Sequence, residues 1–156
     1  MSLSRRVFSS SFTFSSISSL ISFDFFDLEE EGMRMKKQIQ QWTGIPISIG
    51  IAPSKALAKI ANKIAKKFSL NTGGVYCINN EKKRVKALKW TKIGDVWGIG
   101  RQHKKRLEYL GIENAWQFTL LSEDWVKKHM SVVGVRIKRD LMGLPTIQLE
   151  EIQPPK

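Results

Sequence analysis

The sequence predicts an α+β fold: two short strands with a lysine-rich helix, then an all-helical half carrying a helix-hairpin-helix element. Three observations predict it. Pro46 to Ile51 places Ile47, Ile49 and Ile51 on one face, and Val75 to Ile78 is a second β-rich run. Between them, Lys55 to Phe68 keeps a helical period. From Glu81 onward every apolar repeat is helical, and Gly98 and Gly100 stand directly before one of them. The 156 residues are 42% hydrophobic, enough for one modest domain or two small subdomains.

The net charge of +12 is unevenly spread. Residues 1–32 hold Arg5 and Arg6 against five acids. Residues 33–156 hold 24 Lys and Arg against 9 Asp and Glu, a balance of +15. Such a body points to a polyanionic partner, most often nucleic acid. An anionic membrane surface is a poorer match, because no long amphipathic helix has a broad apolar face. No apolar run approaches ~20 residues, so nothing spans a membrane. One cysteine, Cys77, excludes an internal disulfide. With only His103 and His129 beside it, a Cys/His zinc site is not expected.

The elements follow in order. Ten of residues 1–22 are serine, and no acid interrupts them. Arg5 and Arg6 before Phe and Ser fit an organelle transit peptide. The preferred readings are low-complexity sequence without a fold of its own, or residues foreign to the native start of the domain. Asp27 to Trp42 turns helical, with Leu28, Met35, Ile39 and Trp42 as its stripe and Glu29 to Glu31 at its start. Thr43-Gly44 ends it. In the strand that follows, Gly50 opposes the isoleucines and leaves room for close backbone approach. Ser54 is the expected N-cap of the lysine-rich helix. Leu57, Ile60, Ala61, Ile64 and Phe68 form its buried stripe. Lys55, Lys59 and Lys66 fall within about 40° of one another, with Lys63 beside them. A solvated face is the ordinary meaning of such a stripe. Its place after a strand and a tight turn also makes it a ligand face. Cys77 is expected in the core.

Glu81 to Leu88 is a short basic helix. The segment Ile93 to Ile112 then organises the helical half. A Gly-x-Gly turn leaves backbone amides bare, and the next helix begins with four unpaired N–H donors. With the helix dipole behind it, this is an anion site. Arg101, Lys104, Lys105 and Arg106 make phosphate the anion, and Gly98, Ile99 and Gly100 the residues that meet a nucleic-acid backbone without reading bases. Leu107 and Leu110 form the apolar face, and Gly111 the left-handed C′ residue. Short helices are expected from Ala115 and, capped by Ser122, through Trp125 to Met130. Val132 to Met142 is amphipathic, with Arg136, Lys138 and Arg139 on its polar side, and Gly143 stops it. The five tryptophans are read as core and hinge packing. Gly143 to Lys156 reads as a linker.

Three stretches stand in a telling order: Thr43-Gly44-Ile45-Pro46-Ile47-Ser48-Ile49-Gly50-Ile51-Ala52-Pro53-Ser54-Lys55, Leu57-Ala58-Lys59-Ile60-Ala61-Asn62 with Lys66-Lys67, and Asp95-Val96-Trp97-Gly98-Ile99-Gly100. Together they resemble the Y-family translesion DNA polymerases, most closely the UmuC type, the catalytic subunit of DNA polymerase V. The resemblance runs from about Phe25 to Lys156. It implies a partial palm over 25–80, a helical thumb over 81–142 and a linker over 143–156 leading to a little-finger domain, with 1–24 outside. It implies that Lys66 and Lys59 contact the triphosphate of an incoming nucleotide, and that Gly98 to Gly100 hold the DNA backbone. Mg²⁺ as the intact family's cofactor, primer-template DNA and a sliding clamp as partners, a bacterial cytoplasmic, nucleoid-associated setting and a role in DNA repair and SOS mutagenesis come with it.

The departures are as informative. The family's first metal-binding aspartate and fingers do not precede Phe25. Its Ser-Ile-Asp-Glu block is replaced by Ser18-Ser19-Leu20-Ile21-Ser22-Phe23. Asp24 and Asp27 lie nearby in a different context. The chain therefore reads as a palm remnant and thumb cut at both ends, with no catalytic residues, no metal site and no bound cofactor of its own. Two alternatives stay open: one subunit of a split polymerase, and a stand-alone helix-hairpin-helix module.

Overall fold

The computed structural model describes residues 11–13 and 28–144. A parallel sheet of order β1-β2-β3 pairs Ser11–Thr13 (β1) with Ile49–Ala52 (β2), and β2 with Val75–Cys77 (β3). Parallel neighbours need crossovers. Helix α1, Leu28–Thr43, lies between β1 and β2 in sequence, and α2, Lys55–Lys67, with the short α3, Ser69–Thr72, between β2 and β3. Both expected strands are present. The third, β1, falls within the segment read as low-complexity sequence, the rest of which lies outside the described residues.

Alternation along β2 sends its side chains to two cores. On one face, Ile51, Val75 and Cys77 pack with Leu28 and Ile49 beneath α1. On the other, Gly50 meets α2 so closely that a Cβ there would strike the Asn62 amide and the Ala58 carbonyl. Ala52, Leu57, Ile60, Ala61 and Ile64 begin the larger core on this face. That core is contiguous through Leu88, Leu107, Phe118 and Val126 to Leu141, so α2 and the helical half share one interior.

The helical half comprises α4 (Glu81–Trp90), a 3-10 turn (Ile93–Asp95), α5 (Arg101–Tyr109), α6 (Ala115–Thr119) and α7 (Glu123–Leu141). Ser54, Asn80, Asn114 and Ser122 each cap a helix by accepting from the N3 amide. Asn114 and Gln117 complete a reciprocal capping box. Helix α7 is two segments bent at Ser131, whose φ of 61° is non-helical, which separates the two helices the sequence predicts there. Gly111, at φ 78°, ends α5 with Ile112 N–H donating to Leu107 O and Gly111 N–H to Glu108 O. Those two bonds satisfy carbonyls the helix end would otherwise leave unpaired.

Several expected core positions are corrected. Met35 and Trp42 of α1, Phe68, and Leu110 are exposed, Trp42 at 74%. Gly32 is the buried residue of α1, because the helix approaches Val75 and Ile51 too closely there for a side chain. Phe68 instead meets Trp90 edge-on at 5.6 Å. Lys138, assigned to the polar side of its helix, is buried and donates from Nζ to Leu121 O. Trp97 is 45% exposed and Trp42 more so, whereas Trp90, Trp116 and Trp125 pack half-buried against the core. Cys77 is buried as expected.

Candidate nucleic-acid interface

The hairpin turn is held from both sides. Ile93 N–H donates to Glu113 O at 2.8 Å, and Ala115 N–H to Thr91 O at 2.9 Å, fastening the entry of the turn to the start of α6. Val96 and Ile99 are buried on either side of Trp97-Gly98, with Ile99 N–H donating to Val96 O at 3.1 Å. Ile99, assigned to the backbone-binding set, is therefore the anchor of the turn, with its own amide already engaged. Gly98 has φ 96°, and a Cβ there would also lie 2.7 Å from Ile137 Cδ1. Both facts require glycine.

Gly100 differs. It is the N-cap of α5 in extended geometry, φ −76° and ψ 171°, which any residue adopts. A Cβ there would meet nothing within 4 Å. No side chain caps this helix end. The first intrahelical donor is Lys104 N–H, to Gly100 O at 2.9 Å. The amides of Arg101, Gln102 and His103 lie ahead of it with no helical carbonyl to accept them. The turn thus offers bare donors through an opening without side chains.

The basic residues around it are not equivalent. Arg101 and Lys105 are exposed. The stem of Lys104 covers Gly94, and its ammonium is 3.8 Å from Glu108 Oε1. Arg106 turns toward α7 and donates to His129 O at 3.4 Å. Arg101 and Lys105 are the freest charges beside the turn.

The lysine face of α2 meets this element. Lys63 Nζ is 2.7 Å from Asp95 Oδ2. Lys55 Nζ and Lys59 Nζ stand over the Trp97 ring, 4.7 and 5.5 Å from its centroid. Lys66, further along the helix, is exposed. Lys59 is thus turned toward the hairpin, apart from Lys66, seven residues or about 10 Å along the axis. Sequence reasoning treated stripe and hairpin as separate features and missed Asp95 and Trp97 as the residues that join them.

The two halves are also pinned at the N-terminal end of α2. Ser54 Oγ, besides capping α2, donates to Asp140 O, and Arg84 Nη1 donates to Leu141 O at 2.9 Å. Both carbonyls lie in the last turn of α7, where Asp140 O also accepts from Gly143 N–H at 3.1 Å. Arg84 also binds Glu81 and holds its carboxyl below the usual glutamate range. The Glu29 hydrogen bond and charge, at 2.6 Å, raise the Lys83 pKa above the usual lysine value although burial opposes it.

Those ion pairs bear on Mg²⁺. Glu29 is engaged by Lys83 and Glu31 by Arg34. Among the described residues, no three His, Cys, Asp or Glu come together as metal ligands. Asp24 and Asp27 lie outside the described residues. No helix among the described residues is long and apolar enough to cross a membrane.

A parallel βαβ frame carrying a basic helix is thus joined through one core to a helical half in which the Gly98–Gly100 turn leads into α5. The impB/mucB/samB family model matches residues 10–63. The chain is 37% identical to Protein UmuC of Salmonella typhimurium over 130 residues, 83% of this chain and 31% of that protein. It is 35% identical to Protein SamB of the same organism, with the same coverage of each chain. DNA polymerase IV 1 of Bacillus subtilis matches 74% of this chain and 26% of its own length at 27% identity. The chain is therefore homologous to the UmuC, ImpB and SamB proteins over about four-fifths of its length. It spans about a third of the length of those relatives.

Proposed function

We propose that this chain is a DNA-binding portion of a UmuC-like translesion polymerase acting in DNA repair, and that it grips the phosphate backbone at the Gly98–Gly100 turn without reading sequence. The observation that carries the proposal is the open approach at Gly100 to the uncapped amides of α5, with Arg101 and Lys105 beside it. An anion held there meets backbone donors, a helix dipole and two mobile cations. The charge of the body and the homology point to DNA as that anion. The shared interior of α2 and the helical half supports a polymerase-derived unit over a free-standing hairpin module.

Binding of a mixed-sequence duplex, followed by anisotropy across a salt series, tests this. Affinity is expected near micromolar or weaker at physiological salt, and to fall steeply as salt rises, because phosphate contacts release counterions. A salt-independent isotherm, or equal affinity for a neutral polymer, would refute the proposal.

The chain alone is expected not to extend a primer with Mg²⁺ or Mn²⁺. Nucleotidyl transfer needs two cations about 3.5–4 Å apart on clustered carboxylates. The glutamates of α1 that could contribute are exposed or engaged by Lys83 and Arg34. Template-dependent extension that disappears in an Asp24→Asn chain would show that the N-terminal segment supplies the ligands.

A further inference from the structure

Lys55 and Lys59 lie one turn apart on α2, and both ammonium groups face the Trp97 ring. Among the described residues neither makes an ion pair, since the carboxylate of Asp95 is engaged by Lys63. An aromatic face attracts cations without neutralising them. Trp97 therefore holds two uncompensated positive charges in place, and its own backbone continues directly into Gly98. A DNA strand presents a phosphate at about every 3.4 Å of helix axis. A strand seated on the turn carries further phosphates past whatever flanks it.

We propose that Lys55 and Lys59, positioned by Trp97, belong to the DNA-backbone site, so that the strand gripped at Gly98–Gly100 continues over these two ammonium groups. This rests on the reading of the hairpin given above. It moves Lys59 from the nucleotide triphosphate, where the family resemblance places it, to the DNA, and leaves Lys66 for the triphosphate. Trp97 is a positioning residue: it touches the lysines and orders them beside the turn.

The test uses the full chain and a short mixed-sequence duplex over a salt series, with circular dichroism as the check on folding. Lys55→Gln with Lys59→Gln keeps most of each apolar stem and removes both charges. It should lower the slope of log affinity against log salt by about two. Lys82→Gln with Lys86→Gln, exposed on α4, removes the same charge and should change the slope by less than one. Lys55→Arg with Lys59→Arg should restore it. Trp97→Phe should bind as the parent does, and Trp97→Ala should lose affinity at unchanged slope, because both charges remain but are no longer held.

Equal slope changes from the two glutamine pairs would mean diffuse charge and overturn the proposal. So would unchanged binding by Trp97→Ala. A nucleoside triphosphate titration separates the other source of phosphate. If the Lys55/Lys59 pair abolishes triphosphate binding while leaving the DNA slope intact, the pair serves the nucleotide and the proposal falls. A chain sensitive to Gly100→Val but indifferent to the lysine pair would refute this extension alone. A chain indifferent to Gly100→Val would refute the hairpin reading, and with it the contiguity claimed here.

Discussion

Two glycines one residue apart carry different burdens. Gly98 is fixed from within, by φ 96° and by Ile137. Gly100 is free from within, with allowed dihedrals and empty space where a side chain would start. Gly98→Val should therefore cost stability, about 1–3 kcal/mol for the left-handed conformation, before any clash is counted. Gly100→Val should leave the urea midpoint nearly unchanged and weaken DNA binding more than Lys82→Ala does. Unchanged affinity in a folded Gly100→Val chain would make the turn a plain connection. The sequence shows two glycines and the helix after them. It cannot show which glycine serves the fold and which the surface, because that depends on Ile137, which lies far along the chain.

At the scale of elements, helices with polar caps were the most legible. Lys55–Lys67 was readable almost to the residue, because Ser54, the apolar period and the following turn are all local signals. The bend at Ser131 was legible as a break between two patterns. Strand β1 was not, since a three-residue strand in serine-rich sequence is defined by its partner and not by its own alternation. Periodicity also marks a stripe without saying what covers it, which is why Met35, Trp42 and Leu110 emerged exposed. Ser54 shows the same limit. Its capping role is local, whereas its hydrogen bond to Asp140 O is not. Ser54→Ala should lose the cap, typically about 1 kcal/mol, and the long-range bond to Asp140 O, a further ~0.5–1.5 kcal/mol, while that carbonyl keeps its bond from Gly143 N–H. A urea midpoint shift well above that of an ordinary cap deletion would show both losses. A shift near 1 kcal/mol or less would show that the bond to Asp140 O adds nothing beyond the cap.

Across the whole molecule, α2 is the shared member. One side of it seals the sheet at Gly50, its apolar stripe enters the large core, and its lysines meet Asp95 and Trp97. The Ser54–Asp140 bond joins residues 86 positions apart. During synthesis from the N-terminus, the sheet and α2 are complete long before the end of α7 exists. Until then the Ser54 hydroxyl and the Arg84 guanidinium have no α7 carbonyls to meet, and the apolar side of α2 has only part of its cover. Contacts of such long sequence separation form late, after the entropy of closing the intervening chain has been met. The join between the halves is thus the last fastening of the molecule to close, and a nascent chain halted before Asp140 would expose the apolar stripe of α2 to the ribosome's surroundings.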